Sequence, residues 1–353
     1  MNSTERLHGL LLGTAIGDAV GLPAEGLSPR AISMRGWNQD WQHHFLLGRG
    51  MWSDDTEHTL ILAQALNRSN KEPQIFQNQL SKGLRHWFLL LPAGVGFATA
   101  RSLIKLWLGI SPRKSGVFSA GNGPCMRAAL LGVVFQDEPQ KRKEFNYIHT
   151  HLTHTDPKAE YCSRAVVELA ALFSSTTLAP SLSKIFETIT FNDANANFRH
   201  LLAQIKLSLE QKETLSELLK KLGGTPKKGV SGYCFHTLAA VLYCGIKNDW
   251  LPETALPAIW NAGGDSDTTG AILGALCGTL HGPDSFPTQW KNGLAEWPVT
   301  IAQFPELAQA TIEFRPKTIR YSFHPLLLIR NILFLITVLT HTLLRLVPRP
   351  RLK

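Results

Sequence analysis

Glycine recurs at every fourth residue near both ends of the chain: at Gly9, Gly13, Gly17 and Gly21, and again at Gly270, Gly274 and Gly278. In a helix that spacing lines the glycines along one face, where a second backbone can approach closely. Each glycine costs about 1 kcal/mol against alanine in a helix interior, so two such ladders require a compensating contact. Ala271 and Ala275 widen the second ladder. Membrane dimerisation faces carry the same pattern. Here Asp18 lies inside the first ladder, and Asp265 and Asp267 open the second. The acids favour tight packing at the centre of a soluble domain, around a site.

Helical periodicity dominates the chain and strand alternation is nearly absent. The pattern predicts helices over residues 8–20, 57–68, 75–89, 124–135, 157–173, 199–222, 232–244, 253–261 and 268–280. Pro124 and Pro157 sit where a first helical turn tolerates proline, and Gly223-Gly224 closes the 199–222 segment. Irregular stretches fall at 27–50 and 110–123. The expectation is an all-α domain over residues 1–314, followed by a basic connector and an apolar tail over 315–353.

The net charge of +9 is a property of that tail. From Arg315 onward there are eight basic residues and no acid, which leaves 28 basic against 27 acidic residues before it. A general nucleic-acid or polyanion binder spreads its charge over the fold, so the near-neutral body argues against one. Cys125, Cys162, Cys234, Cys244 and Cys277 form no C-x-x-C pair and lie in apolar helical patterns. They read as buried free thiols of a reducing, cytoplasmic compartment. Asp18 interrupts the first apolar stretch, which argues against a secretory signal.

Residues 325–347 are largely Leu, Ile, Val and Phe with basic flanks on both sides. About 20 residues suffice to span a bilayer, but Arg330, Asn331, His341 and Arg345 interrupt the run. A charge near the membrane centre costs roughly 2.5–3.5 kcal/mol. Arg330, Thr337, His341 and Arg345 share one side of a helical wheel. The pattern therefore predicts an amphipathic helix that contacts a membrane through residues 321–348, lying on its surface or marginally spanning it, or a terminal helix docked on the body or a partner subunit.

Two acidic clusters, Ser53-Asp54-Asp55-Thr56 and Asp265-Ser266-Asp267-Thr268, stand at predicted helix starts. Capping alone accounts for either one. Together, four carboxylates with flanking hydroxyls suit two hard divalent ions, Mg²⁺ or Mn²⁺, if the two helix starts face each other. His149-x-His151-x-x-His154 looks like a zinc site, yet it fits no helix face and no Cys or carboxylate set completes it.

These motifs, in order, resemble the ADP-ribosylglycohydrolase family. Gly13 to Gly21 and Pro23-Ala24-Glu25 are similar to its first helix and acidic loop, and Trp52 to Thr56 to its first metal motif. Gly121-Asn122-Gly123 with Met126-Arg127 resembles its ADP-ribose loop, Thr153-His154 with Ala159 the next segment, and Asn261 to Ala271 its second metal motif. The tail lies outside the resemblance. The resemblance implies an orthogonal multi-helix bundle whose cleft holds two Mg²⁺ or Mn²⁺ ions on Ser53, Asp54, Asp55, Asp265, Asp267 and Thr268. It implies hydrolysis of the N- or O-glycosidic bond between ADP-ribose and a modified protein or small conjugate. Glu25 is the first choice for the group that handles the proton, with Asp55 and Asp265 as candidates. Gly121, Asn122, Gly123 and His154 would contact the substrate, although His154 also reads as a packed histidine. Asp18 has a structural reading as a pin for the 27–50 loop. The rival implication is a non-catalytic relative that keeps the fold; the complete set of acids favours an enzyme.

Overall fold

The computed structural model describes residues 1–316 and 325–346. The parts of the connector and tail at 317–324 and 347–353 lie outside the described residues. Among those described, regular structure consists of seventeen α-helices with short 3₁₀ turns and isolated β-bridges. The all-α expectation holds.

At the centre the glycine ladders meet. Helix Ser3–Gly21 lies antiparallel to helix Ser266–His281, and the backbones touch where side chains would stand. A Cβ on Gly13 would fall 2.0 Å from the carbonyl oxygen of Gly274, one on Gly17 2.0 Å from that of Gly270, and one on Gly9 2.2 Å from that of Gly278. Both helices are buried along nearly their whole length, polar residues included. Helices Asp54–Asn67, Cys125–Val134, Pro157–Ser174 and Phe304–Ile312 pack around the pair.

Local chemistry sets the other elements. Asn2 and Glu5 form a capping box on the opening helix, and Pro73, Pro139, Pro157 and Pro252 occupy first turns. The long helix expected over 199–222 is two helices, Ala196–Glu210 and Leu215–Lys221. Lys212 takes a positive φ of 57°, and Thr214 and Glu217 form a second capping box that restarts the chain. Helices Pro29–Ser33, Phe97–Trp107, Pro139–His151, Leu182–Ile189, Thr288–Gly293 and Phe304–Ile312 join those expected. All five cysteines are free and buried.

The terminal helix, Pro325–Leu346, is docked by its polar side. Arg330 is buried between Glu57 (2.8 Å) and Glu296 (2.5 Å) and donates to the Trp52 carbonyl at 2.7 Å. Asn331 donates to the Leu90 carbonyl, His341 meets the Pro23 carbonyl, and Arg345 donates to the Glu25 carbonyl at 2.9 Å. Most of its apolar side chains face outward.

Candidate active site

The antiparallel central pair determines what the cleft contains. Because Gly21 sits against Ser266, the segment leaving the opening helix runs beside the start of helix Ser266–His281. Gly26 N–H donates to the Gly264 carbonyl, Gly264 N–H donates to the Leu27 carbonyl, and the Ser266 hydroxyl donates to the Gly21 carbonyl. Gly263 and Gly264 both hold positive φ in the turn that makes this approach. Glu25 is thereby set next to Asp265 and Asp267.

Asp18 points the other way from the same helix. Its carboxylate accepts from Ser53 N–H at 2.9 Å, from Thr56 N–H at 3.1 Å and from the Thr56 hydroxyl at 2.6 Å. It therefore pins the first acidic cluster, and not the 27–50 loop for which its structural role was expected. Ser53 is the N-cap of helix Asp54–Asn67. Its hydroxyl also donates to Asp55 Oδ2 at 3.1 Å, and the Thr268 hydroxyl reaches the same oxygen at 3.3 Å. The two acidic clusters face each other and touch through Asp55 and Thr268. Asp265 stands at the N-cap position, yet its side chain makes no capping bond. Capping explains Ser53 and leaves the aspartates unexplained.

The opposite wall of the cleft is made of loops tied by single bridges, Val117 to His154, Gly121 to Tyr233 and Val230 to Gly264. Gly121 and Gly123 lie directly over the His154 ring, where a Cβ at either would come within 3.1 Å of it. His154 lines the cleft and is also packed, with Nδ1 2.9 Å from the Thr153 hydroxyl. Burial and the nearby Arg127 lower its pKa to about 3, so the imidazole is neutral. Arg127 is itself fully buried and binds Gly123 O, His149 O, the Thr153 hydroxyl and His58 Nδ1. The Asn122 amide donates to Asp265 Oδ2 at 2.5 Å and to the Thr237 hydroxyl at 2.9 Å. The N–H groups of Gly121 and Asn122 are engaged by the Ser119 hydroxyl and the Gly232 carbonyl. The glycine loop thus locks Asp265 and offers a floor without side chains.

The cleft encloses about 580 Å³, within the range of small-molecule sites. Glu25, Asp54, Asp265, Asp267 and Thr268 line it, and Asp55 joins Thr268 to Ser53 through hydrogen bonds. Burial, followed by repulsion from neighbouring acids, raises Asp54, Asp55 and Asp267 well above the usual carboxylate range. Burial first and Asp265 second raise Glu25 to about 6; burial raises Asp18 to about 6 against four hydrogen bonds that lower it. Asp55 Oδ1 and Asp267 Oδ1 are buried and accept no hydrogen bond from the protein. Such oxygens are costly unless a cation or proton meets them. The donors present are carboxylates and hydroxyls, the set that hard divalent ions take. Among the described residues no three His, Cys, Asp or Glu side chains close on one point, so an ion here would draw on Ser53, Thr268 and water as well. The three histidines at 149, 151 and 154 diverge: His149 meets Asn146 and Ser163, His151 pairs with Glu160, and His154 faces the cleft.

The family model described as ADP-ribosylglycohydrolase matches residues 1–318. The chain belongs to the ADP-ribosylglycohydrolase family. It is 24% identical over 303 residues to the ADP-ribosyl-[dinitrogen reductase] glycohydrolase of Rhodospirillum rubrum, covering 82% of this chain and 90% of that one. It is 26% identical over 333 residues to the ADP-ribosylarginine hydrolase Tri1 of Pseudomonas putida, covering 89% and 79%. A solved structure titled ADP-ribosylglycohydrolase-related protein complex shares the fold, with a TM-score of 0.62 at 23% identity over 89% of this chain and 99% of that one. Membership places the chain among hydrolases of ADP-ribose linkages.

Two parts of the cleft were not anticipated from sequence. Gly229 to Gly232 form a wall beside exposed Lys228, and Gly94, Gly96, Phe97 and Thr99 form a lip. The glycine spacing in Gly229-Val230-Ser231-Gly232 was the available signal. A Cβ on Gly229 would overlap Gly263, 2.3 Å from its carbonyl carbon.

Proposed function

We propose that this chain removes ADP-ribose from a modified protein or a small ADP-ribosyl conjugate by hydrolysing the bond at the ribose anomeric carbon, with two Mg²⁺ or Mn²⁺ ions in the cleft. The observation that carries this reading is the meeting of two acidic helix starts that leaves Asp55 Oδ1 and Asp267 Oδ1 buried without donors. Ser53, Asp54, Asp55, Asp265, Asp267 and Thr268 would hold the ions. Bound there, divalent ions supply positive charge that grips vicinal ribose hydroxyls and makes water more acidic.

The chain's own groups do the rest. Water attacks the anomeric carbon as the bond to the leaving nitrogen or oxygen breaks, through an oxocarbenium-like transition state. Glu25 takes the water proton, and a pKa raised to about 6 suits a base working near neutrality. The leaving group departs with a proton, which Glu25 can return. Asp55 and Asp265, the other candidates for this role, are occupied by Ser53 and Thr268 and by Asn122 respectively, which favours Glu25. Asp18 and Asn122 act as positioning residues. Lys228 on the rim supplies charge for a diphosphate, and Phe97, 79% exposed with the Arg101 guanidinium over one face, leaves its other face for a base.

The test is release of free ADP-ribose from an ADP-ribosyl-arginine conjugate with Mg²⁺, with Mn²⁺ and with chelator. Release that needs metal and disappears in the Asp54→Ala, Asp265→Ala double variant is the expected result. Release unchanged in that variant overturns the reading. Metal-dependent ADP-ribose binding without release would move the search to serine-linked or polymeric substrates. Loss of binding as well would favour a non-catalytic relative.

A further inference from the structure

The terminal helix is amphipathic in the reverse sense to a surface helix. Its arginines, asparagine and histidine are spent on the body from the second turn to the last: Arg330 between Glu57 and Glu296, Asn331 on Leu90, His341 on Pro23 and Arg345 on Glu25. Its opposite face is a mainly apolar stripe, with exposed Thr340 and Thr342 beside it. Ile329, Ile332, Ile336, Leu339 and Leu343 follow at helical spacing and are between 45% and 64% exposed. From Ile329 to Leu343 this stripe runs for roughly 21 Å. In the loops that meet its docked side, Leu91 and Leu47 are 62% and 90% exposed.

We propose that this face is a membrane-docking surface that seats the protein flat on an anionic bilayer. Three features point to a bilayer and not to a second copy of the chain. The sequence on either side of the helix is basic, with Arg315, Lys317 and Arg320 before it and Arg349, Arg351 and Lys353 after it, and no acid falls anywhere from 315 to the end. Those charges complement acidic headgroups, whereas two copies packed face to face would bring like charges together at both ends. The stripe is long and one-sided, the form in which an interfacial helix buries apolar area beneath the headgroups. Crossing the bilayer would pull Arg330 away from two buried carboxylates, so the helix lies on the membrane with the body behind it.

The test is flotation of the full-length chain with vesicles of phosphatidylcholine alone and with 30% phosphatidylglycerol, alongside sedimentation of the chain by itself. Most of the protein should float with the anionic vesicles and several-fold less with the neutral ones, and raising NaCl should shrink that difference. The Ile336→Asp, Leu343→Asp variant should float at least five-fold less with an unchanged melting temperature, which separates lost docking from lost folding. A chain that floats with neither vesicle overturns the proposal. So does a variant that floats as well as the parent, or a dimer in solution that the same variant dissociates without any vesicle binding.

Discussion

The opening helix with its continuation to Ala24 and the terminal helix from Pro325 to Arg345 are alike in length and apolar character. Yet 94% of the first's most apolar stretch is buried, against 22% of the second's. The first carries glycine where it meets its partner, so its backbone touches another backbone and apolar side chains fill the space around the contact. The second carries arginine, asparagine and histidine where it meets the body, and its apolar side chains are left over. What decides burial is where polar groups find partners, because an unpaired buried charge costs more than an exposed leucine. Both helices also serve the cleft. One ends at Glu25; the other holds the backbone at Trp52, Pro23 and Glu25.

The largest effect belongs to the glycine contact. Gly13→Val would place its side chain inside the Gly274 backbone, since even a Cβ lies 2.0 Å from that carbonyl. Neither helix can move aside without opening the core. The variant should yield no cooperatively folded protein, and Gly13→Ala should lose about 3 kcal/mol or more in urea unfolding. A mild effect from Gly13→Ala would break the account of the central pair.

That pair was legible because glycine at every fourth position weakens a helix unless a second backbone packs along the same face. The acidic clusters were legible because hydroxyls and carboxylates at two helix starts exceed what capping needs. Other features hid for physical reasons. The break at Lys212 lies inside an unbroken apolar period, and only the Thr214–Glu217 box marks it. Arg330 is separated from Glu57 by 273 residues, and no local pattern reports such a pairing. The wheel separates polar from apolar faces of the tail, but periodicity alone does not say which side meets the protein.

Removing Arg330 tests the claim that polar partners govern the second helix. Arg330→Met leaves Glu57 and Glu296 buried together without their cation, and should cost about 3–5 kcal/mol. Adding Glu57→Gln and Glu296→Gln should restore much of that loss in denaturant unfolding. Failure of the triple variant to recover would show that the arginine's packing, and not its charge, holds the helix.

The same triad predicts a pH effect. One arginine faces two carboxylates, and burial pushes Glu296 up to about 7 although Arg330 lowers it. With the folded pKa raised, its contribution is complete below the unfolded value near 4.5 and is lost as pH rises through about 7. Between pH 5 and 8 the melting temperature of Glu296→Gln should therefore fall less than that of the parent, by the equivalent of no more than about 3 kcal/mol. Equal slopes would mean that Glu296 stays ionised in the fold.

Arg345→Ala should act on rate more than on stability. Arg345 grips the Glu25 carbonyl and its charge lowers the Glu25 pKa. Its loss should reduce kcat a few-fold and move the acid limb of the pH–rate profile upward, since the proposed reaction uses the basic form of Glu25. A lower kcat with an unmoved limb would assign Arg345 to loop positioning alone.

The smallest expected effect is the sharpest on the comparison itself. Ile336, on the outer stripe, and Ile16, in the opening helix, are the same residue in helices of similar character, 53% and 0% exposed. Serine removes about the same apolar surface from each side chain. At Ile16 it leaves a cavity and a hydroxyl in the core, for a loss of about 3 kcal/mol or more. At Ile336 the hydroxyl meets water in both the folded and unfolded states, so unfolding in detergent-free buffer should change by less than about 0.5 kcal/mol. A comparable loss at both positions would mean that the outer face is covered by the protein in solution, and the contrast between the two helices would disappear.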